Sequence, residues 1–269
     1  MILRSPDRSL PPRVRAVLSR WQREIDGEAS YPERVAAARE SWKRRNHKGN
    51  KTFDAVKDEL RDMCTGPRRC GYCEDSCAYE IEHVWPRSLY PERTYVWENL
   101  LYACGPCNGP KSNQFAVITD GDVFVDVTRK RRAPVVPPRT GRPVLVDPRT
   151  EDPLHFFQLD ILGTFWFLPR GVKGELDFRR AEETIKILGL NVRDHLVEAR
   201  KDAFRSYRAR LREYIAERDE GRAQRSLQRL VRNLKRMGHP FVWAEMKRSG
   251  HHRDDLRELF RKAPEALEW

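Results

Sequence analysis

Two short cysteine pairs constrain this chain more than any other feature: Cys70 with Cys73, and Cys104 with Cys107. Each is a C-x-x-C, a spacing in which one tight turn presents two sulfurs to the same point. The second pair follows the first by roughly thirty residues, an arrangement that supplies four soft thiolates to one tetrahedral zinc ion. Gly71 and Gly105, inside the pairs, help such turns form. A four-sulfur site has no open coordination position, so it fastens the chain and does no chemistry. The spacing therefore predicts that 70–73 and 104–107 come together around whatever lies between them, and that zinc binding contributes directly to folding. Cys64 and Cys77 stand outside the pattern, and no role is assigned to them.

The choice of metal over disulfides rests on compartment. No apolar run approaches the ~18 residues that span a bilayer. The opening MILRSPDRSLPPR lacks the apolar core of a secretory leader, so a cytoplasmic, reducing location and no membrane partner are expected. The 269 residues are enough for one large or two modest domains. Fifty-two Lys and Arg against 40 Asp and Glu leave a formal charge of +12, a field that favours polyanions, nucleic acid above all.

Periodicity sets out the rest. Val14, Val17, Leu18, Trp21 and Ile25 recur at helical steps, as do Phe53, Val56, Leu60 and Met63, so 1–63 reads as an N-terminal helical segment. SWKRRNHKGNK (41–51) interrupts it as a loop or a helix end facing phosphate. From 64 to 120 the pattern turns irregular, as in a module organised by metal. DVFVDV (122–127) alternates like a strand, and a basic run, Arg129, Lys130, Arg131 and Arg132, leads into a proline-rich linker at 134–148. That run reads either as a phosphate clamp or as a solvated turn. FFQLDI and TFWFL look like a hairpin, which makes 121–177 a connecting region. Helical spacing then returns through Ala181, Ile185, Leu188, Leu196, Leu211, Ile215, Leu227, Leu230 and Leu234, making 178–269 a C-terminal helical region. The fold class expected is α+β and mostly helical: a zinc-stapled module between two helical segments.

Between the cysteine pairs stand EIEHVWPRS, WENLLYAC and CNGPKSN. These motifs resemble the HNH endonucleases, whose ββα-metal motif runs through a strand ending in an acid and His, a loop, a strand opened by Asn, and a helix bearing His or Asn. The matched positions are Glu82 and His83, Asn99, and Asn108 with Lys111 close behind; the third position is Asn where many members have His. The order of motifs, with ETIKILGLNVRDHLVEAR (183–200), is similar to the PtuB-like branch found in Septu and some retron anti-phage systems. The resemblance implies a metal-dependent nuclease, with DNA expected ahead of RNA, serving antiviral defence beside an ATPase partner. It also implies that Asn99 holds the His83 ring through its backbone or side chain.

The residues support that chemistry independently. Phosphodiester hydrolysis needs a base for water and a cation for the developing charge. His83, with an ordinary pKa of about 6.5, can be neutral at pH 7 and accept the proton. Glu82 and Asn108 are hard oxygen donors suited to Mg²⁺ or Mn²⁺, and Lys111 could meet the scissile phosphate. Against this stand a structural or zinc-ligating His83, a zinc module that only binds nucleic acid, and a subunit active only with its partner. Glu80 is either a support for Glu82 or a solvated strand residue, and Trp85 and Trp97 read as core aromatics. Glu82 and His83 point to opposite faces of an ideal strand, so their cooperation requires the strand to end there. The other six histidines lack comparable surroundings.

Overall fold

The computed structural model describes residues 8–47, 49–64, 68–75 and 77–269. Three helices open it: α1 (Pro12–Asp26), α2 (Tyr31–Arg45) and α3 (Lys51–Asp62). A capping box of Ser30 and Glu33 starts α2, and the Asn50 side chain accepts from Thr52 N and Phe53 N to start α3. The basic stretch at 41–51 is therefore the end of α2 plus a short turn; Lys48 lies outside the described residues.

β1 (Glu80–His83) pairs antiparallel with β2 (Leu100–Ala103), and α4 (Gly105–Lys111) follows. A small sheet comes next, of β3 (Ala116–Thr119), β4 (Val123–Asp126) and β5 (Arg142–Pro143), with β3 central. α5 (Pro153–Phe156) leads into the expected hairpin, β6 (Phe157–Leu159) and β7 (Phe167–Pro169). Its turn is tied by Asp160, whose carboxylate accepts from the backbone N–H groups of Leu162, Gly163 and Thr164. The rest is helical: α6 (Leu176–Ile187), α7 (Asp194–Asp219), α8 (Gln224–Lys235), α9 (Pro240–Ser249) and α10 (Asp254–Lys262). The fold is α+β and mostly helical, with a ββα unit between helical segments. No helix among the described residues is long and apolar enough to cross a membrane.

Two apolar cores meet at the ββα unit, and β2 serves both. Leu100 and Tyr102 join Trp21, Trp42, Phe53 and Leu60 of the N-terminal helices. Leu101 and Ala103 join the four cysteines, the β6–β7 hairpin and the C-terminal helices. The two-residue period of a strand produces this division. On β1, Ile81 belongs to the first core.

The linker reading at 134–148 needs correction at its second half. β5 pairs with β3, and Gly141 lies so close to Ile118 that an added Cβ would stand 2.5 Å from its carbonyl oxygen. Val144, Leu145 and Val146 are buried, and Val146 N donates to Thr184 Oγ1 of α6 at 3.0 Å. Apolar residues hidden in the proline-rich composition overrode its loop character. Trp97 is a core residue, as expected. Trp85 is half-buried, edge-on to Tyr90 and roofed by the Arg93 guanidinium at 4.4 Å.

Candidate active site and metal centre

The two cysteine pairs converge. Cys70 and Cys73 lie on a turn before β1; Cys104 immediately precedes α4 and Cys107 sits within it. All four are buried, their sulfurs within 4.8 Å of one another, and Cys73 Sγ stands 3.8 Å from Cys104 Sγ. Sulfurs bound to zinc at ~2.3 Å form a tetrahedron with edges of about 3.8 Å, so the arrangement fits the ion. Hydrogen bonds from Cys104 and Cys107 hold the Cys73 thiol well below its usual range, whereas burial pushes Cys70 well above. Four thiolates in this interior call for a cation to balance them. Gly71 is required by packing, since an added Cβ would meet the Leu101 side chain at 2.6 Å. Arg193, from the loop before α7, donates to Cys107 Sγ at 3.2 Å and to the Leu188 carbonyl. Nothing in the cysteine spacing announces that distant residue. Of the two remaining cysteines, Cys64 donates to the Arg69 carbonyl and its thiol is raised to about 11 by burial; Cys77 is exposed.

Beside the sulfur cluster, β1 and α4 form one wall of a cleft of about 770 Å³. Glu80, Glu82 and His83 of β1, Asn108 of α4, Arg39 of α2, and Arg87 contribute to its lining. His83 ends the strand, and the chain bends at Val84–Trp85 before Pro86. The imidazole packs edge-on to Trp42 at 4.3 Å, on the side of the first core. Its Nε2 lies 3.0 Å from the Thr94 carbonyl oxygen. A carbonyl only accepts, so Nε2 carries the proton and Nδ1 keeps its lone pair. Arg87 Nη1 donates to that lone pair from 3.3 Å. Burial first, and then the Arg87 and Lys111 charges, hold His83 well below the usual imidazole range, so the ring is neutral.

Glu82 turns the other way. Lys111 Nζ stands 2.5 Å from Glu82 Oε1 and donates to the His83 carbonyl at 3.0 Å. The lysine is 0% exposed and Glu82 4%, and burial raises the Glu82 carboxyl against the pull of the lysine. A phosphate contact by Lys111 is therefore corrected: its ammonium is spent inside the protein, tying α4 to the end of β1. Glu80, on the same face of β1 as Glu82, accepts from Asn108 Nδ2 at 2.5 Å. Asn108 thus faces Glu80 through its NH₂ group, and Oδ1 is its one atom able to meet a cation. Two carboxylates and an amide oxygen are the hard donors that Mg²⁺ or Mn²⁺ takes.

Asn99 is 2% exposed, and its carbonyl accepts from Val84 N, next to His83, at 3.0 Å. Its side chain accepts from Trp85 N at 2.7 Å and donates to the Trp85 and Arg93 carbonyls at 3.0 and 2.9 Å. These bonds close the loop whose next residue, Thr94, holds the imidazole. The basic run divides in two. Arg129 is a half-buried clip that donates to the Ser88 and Val136 carbonyls and to Tyr31 Oη, so its reading as a nucleic-acid contact is corrected. Lys130 and Arg131 are exposed along the cleft, and Arg132 is exposed outside its lining. Sequence reasoning missed Arg39, Arg87 and Thr94. Arg87 carried a signal, a cation four residues after His83; Thr94 carried none, because a carbonyl belongs to every residue.

Residues 70–114 match the HNH endonuclease family. Over 68 residues the chain is 34% identical to Septu protein PtuB of Bacillus thuringiensis, an alignment covering 23% of this chain. It spans about a quarter (26%) of that relative's length. The ββα unit and its four cysteines are thus an HNH endonuclease module carrying a metal-binding cluster.

Proposed function

We propose that this chain is a divalent-metal-dependent endonuclease that hydrolyses phosphodiester bonds, DNA ahead of RNA, as an effector of anti-phage defence. One observation carries the reading: the Nε2–H of His83 is held on the Thr94 carbonyl, which leaves Nδ1, met by Arg87, as the proton acceptor of a residue that lines the cleft. Water attacking phosphorus gives its proton to that nitrogen, and the bond to the leaving sugar oxygen breaks. Arg87 donates to Nδ1 in the free protein, so the water takes its place as the guanidinium turns to the phosphate. Glu80, Glu82 and Asn108 are the residues to hold Mg²⁺ or Mn²⁺, which when bound supplies charge for the developing oxyanions. Arg39, Lys130 and Arg131 cradle the neighbouring phosphates. Lys111 and Asn99 position; they touch no substrate. Cys70, Cys73, Cys104 and Cys107 hold structural Zn²⁺. The defence role and the ATPase partner draw on the likeness to the Septu protein.

The test incubates the protein with matched DNA and RNA panels in Mg²⁺ or Mn²⁺, alone and with any ATPase encoded beside it. His83→Ala should lower cleavage about 10²–10⁴-fold while zinc content and the melting transition stay. A variant that cuts as fast as wild type would remove His83 from the mechanism.

A further inference from the structure

The C-terminal helices hold most of their surface arginines in ion pairs. Arg205 meets Asp202 and Arg208 meets Asp255, Arg218 bonds Glu265, Arg257 bonds Asp254, and Lys262 bonds Glu258. α8 is built differently. Its sequence, QRSLQRLVRNLK, contains no acid. Arg225, Arg229 and Arg232, with Arg236 just past its end, are all exposed, and none takes an acidic partner among the described residues.

Their spacing of four, three and four places them within about 60° of arc at 3.6 residues per turn. Leu227, Leu230 and Leu234 fall on the opposite side and are buried in the second core. The helix is thus locked in rotation, with its arginine row turned to solvent. Like charges three and four residues apart destabilise a helix, and here three such pairs stand without compensation. The row is about 16 Å long, the run of about five phosphates along one strand of a duplex. Its exposed neighbours are polar (Gln228, Asn233 and Lys235), and no large apolar side chain is exposed on α8, as a protein interface would need at its centre.

We infer that the Arg225–Arg229–Arg232–Arg236 face of α8 is a second nucleic-acid contact, gripping the phosphate backbone outside the catalytic cleft. It rests on the nuclease reading only in taking nucleic acid as the polyanion. It reads no bases; it adds affinity and salt dependence to whatever the cleft engages.

The test measures anisotropy of a labelled 30-base-pair duplex, and of the corresponding single strand, against the His83→Ala protein from 50 to 300 mM NaCl. Changing all four arginines to Gln in that background should reduce the slope of log K against log salt by about 3.6 on duplex and 2.8 on single strand, at ~0.9 and ~0.7 per contact. The pairs R225Q/R229Q and R232Q/R236Q should each remove about half, and four Arg→Lys changes should restore the slope. The control R205Q/R210Q/R257Q/K262Q removes the same charge from other helices. An unchanged slope in the α8 variants, the result if the row instead meets an acidic protein, overturns the inference. So does an equal loss in the control. Because binding is read without the catalytic base, failure of wild type to cut leaves this outcome standing, and loss of this outcome leaves cleavage standing.

Discussion

The sulfur cluster and the cleft share one strand pair and one short helix, yet they obey opposite rules. The cluster is made of four identical donors, all buried, and its surroundings close over it. The cleft mixes carboxylates, an amide, an imidazole and several guanidiniums around open space. The first encloses like groups together, whereas the second lines an open space with unlike charged and polar groups. α4 joins the two directly: Cys107 faces the sulfurs, Asn108 faces Glu80, and Lys111 returns to the end of β1. A shift of that helix would disturb the sulfur cluster and the lining of the cleft together.

The largest effect should come from breaking the closed site. Cys104→Ala leaves three sulfurs, and structural zinc contributes roughly 10–16 kcal/mol of apparent binding energy in small domains. Soluble, folded yield should collapse, read by metal content and by loss of the cooperative melting transition. A variant that melts like wild type without zinc would abolish the contrast between the two sites.

Next comes the tie between the sites. Lys111→Met strands a buried carboxylate, which costs about 3–5 kcal/mol when one partner of such a pair is removed. The double variant Glu82→Leu with Lys111→Met should recover much of that stability, measured by denaturant midpoint, while remaining poor at cleavage. If the single variant is as stable as wild type, the ion pair is not holding α4.

The smallest effect separates orientation from chemistry. Asn99→Ala removes three hydrogen bonds from the loop that carries Thr94 and should cost about 1–3 kcal/mol. Cleavage should fall about tenfold with KM and zinc content nearly unchanged. A fall as deep as that of His83→Ala would mean that Asn99 acts on the substrate itself.

How much of this was legible in the chain follows from the same contrast. The sulfur site depends on residue type and spacing, and both are visible in C-x-x-C. The acid-His pair on β1 and the amide on α4 were visible through the resemblance. The helices were visible because their apolar faces are periodic. Arg39 reaches the cleft from α2 through tertiary packing alone, and Arg87 is distinguished from other surface cations only by its distance to His83. Thr94 acts through its backbone. Lys111 and Arg129 read as ordinary cations beside a phosphate site, and only their burial and carbonyl partners show that they are structural. Val144–Val146 were hidden by the prolines around them.

Arg193 closes the cover of the sulfur cluster from a position 86 residues beyond Cys107. A ribosome that has made the whole ββα unit has therefore not yet made the residues that shield it. Until the hairpin and the first C-terminal helices emerge, Leu101, Ala103 and the cysteines lack most of their second core. A chain assembled in this order keeps β2 short of its second core until α7 is made, and one broken before Arg193 lacks that arginine and the helices after it that cover the cysteines.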